Sequence, residues 1–279
     1  MRSPRPAVMK PDQALKHGIL ILATALALAP AIFMITTSLK GQDEYTFNKV
    51  GLPRTVVFDH FESILFESPF FAWMGNSIIL AVGAVILSTA VSCLGAYAIA
   101  RMPFRGRNLL FSVSASLMAV PPVVMIVPLF VLYTQLELIS TFRGTIVIYA
   151  GLITPFSVYL LATFFRTLPR DIFEAAHMDG ASDLFILWKL VLPLSLPALL
   201  TLVVVNALYV WNDLIIAIIF LQDDSKRTLM AGISVFQGRY ENQIPLTMAG
   251  MVIASAPMII LYIAFQKYFI RGLMAGAVK

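Results

Sequence analysis

Charge is scarce in this chain: 13% of its 279 residues are Asp, Glu, Lys or Arg, about half the share in an ordinary soluble domain. It has one cysteine, Cys93, inside an apolar run, so no intrachain disulfide can form and the side chain reads as a small packing group. The three histidines, His17, His60 and His177, are too far apart in sequence to suggest a metal cluster. There is no G-x-x-x-x-G-K-[ST] loop, which excludes a phosphate cradle of the chain's own. H-E-x-x-H and G-x-S-x-G are also missing. Ionisable groups are nearly absent from the apolar runs, with Asp213 the clear exception, whereas an ion-driven carrier ordinarily needs a relay of them. No catalytic residue, metal ligand or bound cofactor is therefore expected. The net charge of +5 comes from basic residues scattered at the ends of apolar runs. No basic stripe with interleaved aromatics is present, which argues against nucleic acid.

What the chain has instead is apolar length. Hydrophobic residues make up 59%, and six runs at about 18–38, 76–100, 109–133, 144–165, 197–220 and 246–266 can each cross a bilayer core. Each is apolar around most of its circumference, so helices rather than barrel strands are expected. The predicted fold class is an all-α integral membrane protein. Pro30, Pro121, Pro122, Pro128, Pro155 and Pro257 interrupt the runs and mark kinks or packing geometry. The first run is too long for the apolar region of a signal peptide and has no convincing cleavage site, so it reads as a membrane helix.

Six spans put both ends of the chain on one side. Of the 20 Lys and Arg residues, 13 fall on the side that carries the termini and seven on the other. The positive-inside rule makes the termini cytoplasmic. The expected division is a cytoplasmic N-terminal tail over 1–17, a first span over 18–38, an extracytoplasmic segment over 39–75, a transmembrane domain over 72–267, and a cytoplasmic tail over 268–279. On the outer side, Phe58–Phe66 is amphipathic and suited to the membrane surface. Residues 221–245 form a second outer segment.

Between the fourth and fifth runs lies a polar island, Glu174-Ala-Ala-His-Met-Asp-Gly-Ala-Ser-Asp-Leu-Phe-Ile-Leu-Trp188, closed by Leu190-Val-Leu-Pro193. Leu168-Pro169-Arg170 should stop the preceding span. Asp171, with Glu174 three residues on, fits a capping box with Asp in place of Ser or Thr. Asp179-Gly180 suits a helix stop, because glycine readily takes the left-handed cap. Ser182 can cap a second helix whose Leu184, Phe185, Leu187, Trp188, Val191 and Leu192 make a broad apolar face. The expected product is a short helix, a sharp turn and a membrane-surface helix, small enough to enter a groove on another protein.

Glu174-Ala-Ala176, Gly180 and Leu190-x-Leu-Pro193 resemble the EAA motif of ABC importer permeases, with Leu190 where isoleucine is usual. Asn76-Ser77, Ala96-Tyr97-Ala98, Trp211-Asn212-Asp213 and the tail from Gln266 to Lys279 resemble the maltose-permease-like carbohydrate subfamily. The resemblance covers the chain from about residue 70 to its end. It implies a six-helix type I permease whose EAA turn is a coupling helix, with Glu174, Ala175, Ala176, Asp179 and Gly180 docking on an ATPase. It further implies that the tail, with Gly272, Gly276 and Lys279, approaches that ATPase. The implied partners are a second homologous permease, an ATP-binding subunit dimer that uses ATP and Mg, and an extracytoplasmic solute-binding protein. The implied site is the bacterial inner membrane and the implied cargo a sugar or glycoside.

Asn212, Asp213 and Tyr209 are candidates for the substrate path, although a helix–helix hydrogen bond explains Asp213 equally well. His177 reads as solvated or interface-facing rather than catalytic. The other readings are an importer for a non-sugar solute, an ion-coupled secondary carrier, and a membrane receptor or scaffold.

Overall fold

The structure, a computed structural model, describes residues 11–236 and 243–277. Four helices are long and apolar enough to cross a membrane unbroken, namely Leu15–Ser38, Phe70–Arg101, Phe142–Thr167 and Ile244–Lys267. Two further spans are broken pairs: Arg107–Leu117 with Pro122–Gln135, bent by 100°, and Asp183–Leu194 with Leu196–Asn212, bent by 79°. The chain is thus an all-α, multi-span membrane protein with up to six crossings among the described residues. The third run breaks at the proline pair expected to interrupt it, whereas the fifth, expected as one span over 197–220, is corrected here to two helices, Leu196–Asn212 and Ile215–Phe220.

The cause of the first break is local. Pro121 and Pro122 supply no amide donors, and the residue before a proline is pushed to extended backbone. Pro121 itself sits at ψ 128°, and Pro122 opens the next helix, where its missing N–H costs nothing. The chain leaves helix once just before the fifth run and once within it. Ser195 separates the bent pair, and Asp213, extended at ψ 133°, separates Leu196–Asn212 from a short helix at Ile215–Phe220.

The labels used below are α1 (Pro11–Ser38), α2 (Phe70–Arg101), α3 (Arg107–Leu117), α4 (Pro122–Gln135), α5 (Phe142–Thr167), α6 (Asp171–Met178), α7 (Asp183–Ile186), α8 (Leu196–Asn212), α9 (Ile215–Phe220), α10 (Leu229–Ser234) and α11 (Ile244–Ala277). A wider π-type turn at Leu187–Val191 continues α7. The first helix starts at Pro11 rather than near residue 18. The last helix runs to Ala277, so Gly272 and Gly276 lie on helical backbone rather than in an irregular tail. Lys279 lies outside the described residues.

The chain divides into two compact units, residues 1–68 with 236–253 and residues 69–235 with 254–279. In the first, Lys40 is fully buried, and its Nζ donates to the Asn48 carbonyl at 2.7 Å. His60 Nε2 lies 2.9 Å from the Lys40 carbonyl. These bonds close the segment after α1 into an ordered loop. The expected surface stretch at Phe58–Phe66 forms a short helix, Asp59–Glu62, followed by a π turn.

The second unit is built on α2 packed along α5. Small residues permit the close approach: a Cβ at Gly83 would sit 2.7 Å from the Ile146 side chain. Leu80, Ala84, Tyr149, Ile153, Val210 and Phe220 form one buried cluster. Tyr97, Leu161, Phe165, Ile186, Val191 and Leu202 belong to a second, against which the polar island is built. Between the clusters, Ser88 Oγ lies 3.1 Å from Thr154 Oγ1 and 3.4 Å from Ser157 Oγ, and Asn206 Nδ2 donates to Ser157 Oγ at 2.9 Å. In hydrocarbon these polar groups must satisfy one another, so the network links α2, α5 and α8.

Candidate functional site at the Glu174 turn

The span α5 stops at Thr167, and Leu168 turns extended before Pro169, as the sequence implies. Helix α6 then begins one residue earlier than a capping box at Asp171 would require. Phe173 N and Glu174 N both donate to the Arg170 carbonyl, and no side chain caps the start. Asp171 and Glu174 instead sit in the first turn, where their charge favours the positive end of the helix dipole.

The other end matches expectation closely. Gly180 N donates to the His177 carbonyl and Ala181 N to the Ala176 carbonyl, both at 3.0 Å. Together these form a Schellman closure. Gly180 holds it at φ +78°, in the left-handed region that a side chain disfavours. Ser182 then caps α7, its Oγ accepting from Phe185 N at 3.4 Å.

The turn has two faces. Glu174, Ala175, Asp179 and Gly180 are exposed, and Met178 projects between them at 88% exposure. Phe173 is buried and Ala176 packs against the same core, so of the two small alanines only Ala175 is left for close approach from outside. The apolar face of the second helix also divides. Leu187 and Val191 are buried together with Ile186, which the sequence reading left out, whereas Leu184, Phe185 and Trp188 remain exposed.

Two contacts fix the turn to the spans. The Tyr97 hydroxyl donates to Asp183 Oδ1 at 2.9 Å, and His177 Nε2 is 3.9 Å from that same oxygen. Arg101 Nη2 donates to the carbonyls of Phe165 and Leu168 at the end of α5. Neither bond was foreseen. The Ala96-Tyr97-Ala98 motif was the only sign in the sequence, and it does not indicate which residue Tyr97 meets.

A cavity of about 630 Å³ lies among α4, α5 and α8, lined by Tyr133, Pro155, Phe156, Asn206 and Tyr209 among others. Of the three path candidates only Tyr209 lines it. Asn212 Nδ2 bonds back to the Leu208 carbonyl. Asp213 Oδ2 accepts from the Tyr149 hydroxyl at 2.8 Å, a helix–helix bond, and from Ile216 N at 3.0 Å in the first turn of α9, one residue ahead of its N-cap Leu214. Asn206 is a lining residue that the sequence reading missed; an amide in the middle of an apolar span was its signal.

At the start of α2, Asn76 Nδ2 donates to the carbonyls of Ser225 and Arg227, at 3.0 and 2.9 Å. Ser77 Oγ accepts from Leu229 N at 2.8 Å. The start of α2 thereby holds the loop that leads into α10.

Residues 91–274 match the family described as "Binding-protein-dependent transport system inner membrane component". The chain is 37% identical over 257 residues to a "Putative ABC transporter permease protein ORF2" of Caldicellulosiruptor sp. (strain Rt8B.4), covering 92% of this chain and 93% of the relative. It is 33% identical over 265 residues to the "Melibiose/raffinose/stachyose import permease protein MelC" of Bacillus subtilis (strain 168), covering 94% and 96%. It also superposes with TM-score 0.81 and 26% identity on a chain of a bacterial ABC transporter involved in the import of the acidic polysaccharide alginate, covering 95% of this chain and all of that one.

Proposed function

The chain belongs to the binding-protein-dependent transport inner membrane component family and is a permease-type subunit of a sugar or polysaccharide ABC importer in the bacterial inner membrane; from this premise we propose that its Glu174 turn is the element through which partner ATPases drive it. The observation that carries the reading is the two-faced turn. Its inner side is bonded to α2 and built on the core, while Glu174, Ala175, Met178 and Asp179 face outward. A rigid knob of this kind transmits a push to the spans behind it.

In this reading the permease is of the maltose-permease-like, six-span type I class, with residues 72–267 as its transmembrane domain and both termini cytoplasmic. It pairs with a second homologous permease, a dimer of ATP-binding subunits and an extracytoplasmic solute-binding protein. ATP and Mg act in the partner ATPases, and this subunit is not itself catalytic. ATP closes the ATPase dimer, the two coupling turns move together, and the spans tilt outward-open; hydrolysis resets them. Gly272, Gly276 and Lys279 approach the ATPase. The outer segment at 221–245 meets the binding protein. The cargo is a sugar or glycoside, and Tyr209 contributes to its path, with Asn212 and Asp213 close by in sequence but bonded within the protein.

The test is reconstitution of the importer with its partners in vesicles. Ala175→Trp and Gly180→Trp should insert in the membrane normally yet lose the ATPase subunits and binding-protein-stimulated hydrolysis. Wild-type stimulation in both variants would refute the coupling assignment.

A further inference from the structure

Four arginines converge where α2 ends, α3 begins and α5 gives way to α6. Arg101, Arg107, Arg166 and Arg170, together with Asn108, line a recess of about 350 Å³. Among the described residues none of the four pairs with a carboxylate. Like charges gathered without a counter-charge repel one another, and the repulsion is relieved when an anion enters. Two of the four are held in place by neutral groups. Arg101 bonds the Phe165 and Leu168 carbonyls and lies 4.0 Å from the Phe173 ring centre; Arg166 lies 4.2 Å from that of Phe111. Arg101 Nε is buried with no hydrogen-bond partner, a donor left over beside the two bonds that Nη2 makes. Arg107 and Arg170 are exposed, free to close on a ligand.

The surroundings limit what that ligand is. Immediately beyond Arg107 and Asn108, α3 presents Leu109, Val113 and Leu117 at i, i+4 and i+8 on one face, 67, 43 and 46% exposed. The recess is thus a cationic opening at the end of an uncovered apolar helix face, with the charged end on the same side as the Glu174 turn.

We propose that the recess binds the phosphate of an anionic phospholipid headgroup, with an acyl chain lying along α3. The planar guanidinium fork matches phosphate oxygens, and basic pockets between helices at the cytoplasmic membrane face suit anionic headgroups. The assignment rests on the membrane orientation given under the proposed function. Inorganic phosphate shares the headgroup's chemistry but has no use for the α3 face.

The test uses the importer purified with its partner subunits in neutral detergent. It is titrated with dioleoylphosphatidylglycerol, with dioleoylphosphatidylcholine as the neutral control, and bound lipid is counted by native mass spectrometry. The wild type should retain the anionic lipid preferentially, and Arg107→Gln with Arg166→Gln should weaken retention roughly tenfold. The Lys/Lys pair should restore part of it. Arg107→Gln alone, at an exposed position, guards against a folding defect and should give an intermediate loss. Retention in the Gln pair equal to wild type overturns the proposal. Millimolar inorganic phosphate that leaves the lipid in place supports the lipid source. Phosphate that displaces the lipid and remains bound after delipidation overturns it in favour of a free anion. Loss of the ATPase subunits with lipid retention unchanged assigns the arginines to protein docking and likewise overturns it. Because the readout is bound lipid rather than uptake, failure here leaves the coupling reading intact, and the reverse also holds.

Discussion

The Tyr97 hydroxyl donates to Asp183 Oδ1 at 2.9 Å, joining the end of α2 to the helix that follows the Glu174 turn. A displacement of the turn therefore reaches a membrane-spanning helix through one side-chain bond as well as through the chain itself. Tyr97→Phe keeps the ring in its core site and removes only this bond, a stability cost of about 1 kcal/mol. Uptake should fall while ATPase activity persists. The ratio of the two in reconstituted vesicles measures the loss, and an unchanged ratio would show that the bond carries no coupling.

Gly180 has open space around its Cα but a φ of +78°. The constraint is conformational, so the size of a small replacement matters less than its backbone preference. Gly180→Ala should cost about 1–2 kcal/mol in the local cap, whereas Gly180→Asn, which tolerates the left-handed region, should cost less. Amide hydrogen exchange at Ala181, whose N–H closes the cap, should rank the three proteins as Gly, Asn, Ala in falling protection.

Asp213 binds Tyr149 and the first turn of α9. Asp213→Ala leaves the buried Tyr149 hydroxyl without its acceptor and removes the bond to that turn, which should destabilise the protein by about 2–3 kcal/mol. Asp213→Asn keeps an acceptor oxygen and should lose less. Thermal unfolding in detergent reports this order. A substrate-contact role would instead show as a rise in the transport KM with unchanged unfolding.

A Cβ at Gly232 would fall on the Trp73 ring, so α10 can pack there only as glycine. Gly232→Ala should destabilise by about 1–3 kcal/mol through overpacking. The smaller ring of Trp73→Phe should recover part of the loss in the double variant, and additive losses in a thermal unfolding cycle would sink this account.

Glu44 Oε1 accepts from Arg54 N at 2.7 Å, and this bond, with those from Asn48 and Thr55, holds its carboxyl below the usual glutamate range. A lowered folded-state value means that the stabilisation is present above the ordinary carboxylate value and is lost as pH falls through the lowered one. Protection of the Arg54 amide should be constant near neutrality and decline below about pH 4. Glu44→Gln should flatten that profile.

How far the chain could be read without its structure differs by element. Apolar length alone indicated an upper limit of six crossings, because a bilayer imposes one dimension on every crossing; that two of them are bent pairs was not set by length. Gly180 and Ser182 were legible because helix ends obey local rules of backbone and capping. The break at Pro121–Pro122 was visible as an interruption, but its 100° angle was not, since a missing amide says where a helix stops and not where the chain goes next. Asp171 misled, because the helix started at the Arg170 carbonyl instead of at a side-chain cap.

What the sequence determined by itself was therefore what near neighbours or the solvent set: apolar helices long enough to cross a bilayer, and the closed turn at Gly180. Tertiary structure alone decided the partnerships between residues far apart in the chain. Tyr97 with Asp183, Asn76 with the Ser225 carbonyl, Asn206 with Ser157 and the four converging arginines were fixed only when helices packed. The physical reason is that a polar side chain in an apolar span must find some partner, but its chemistry does not specify which one. Only the packing of the helices and the loops between them brings particular groups within reach.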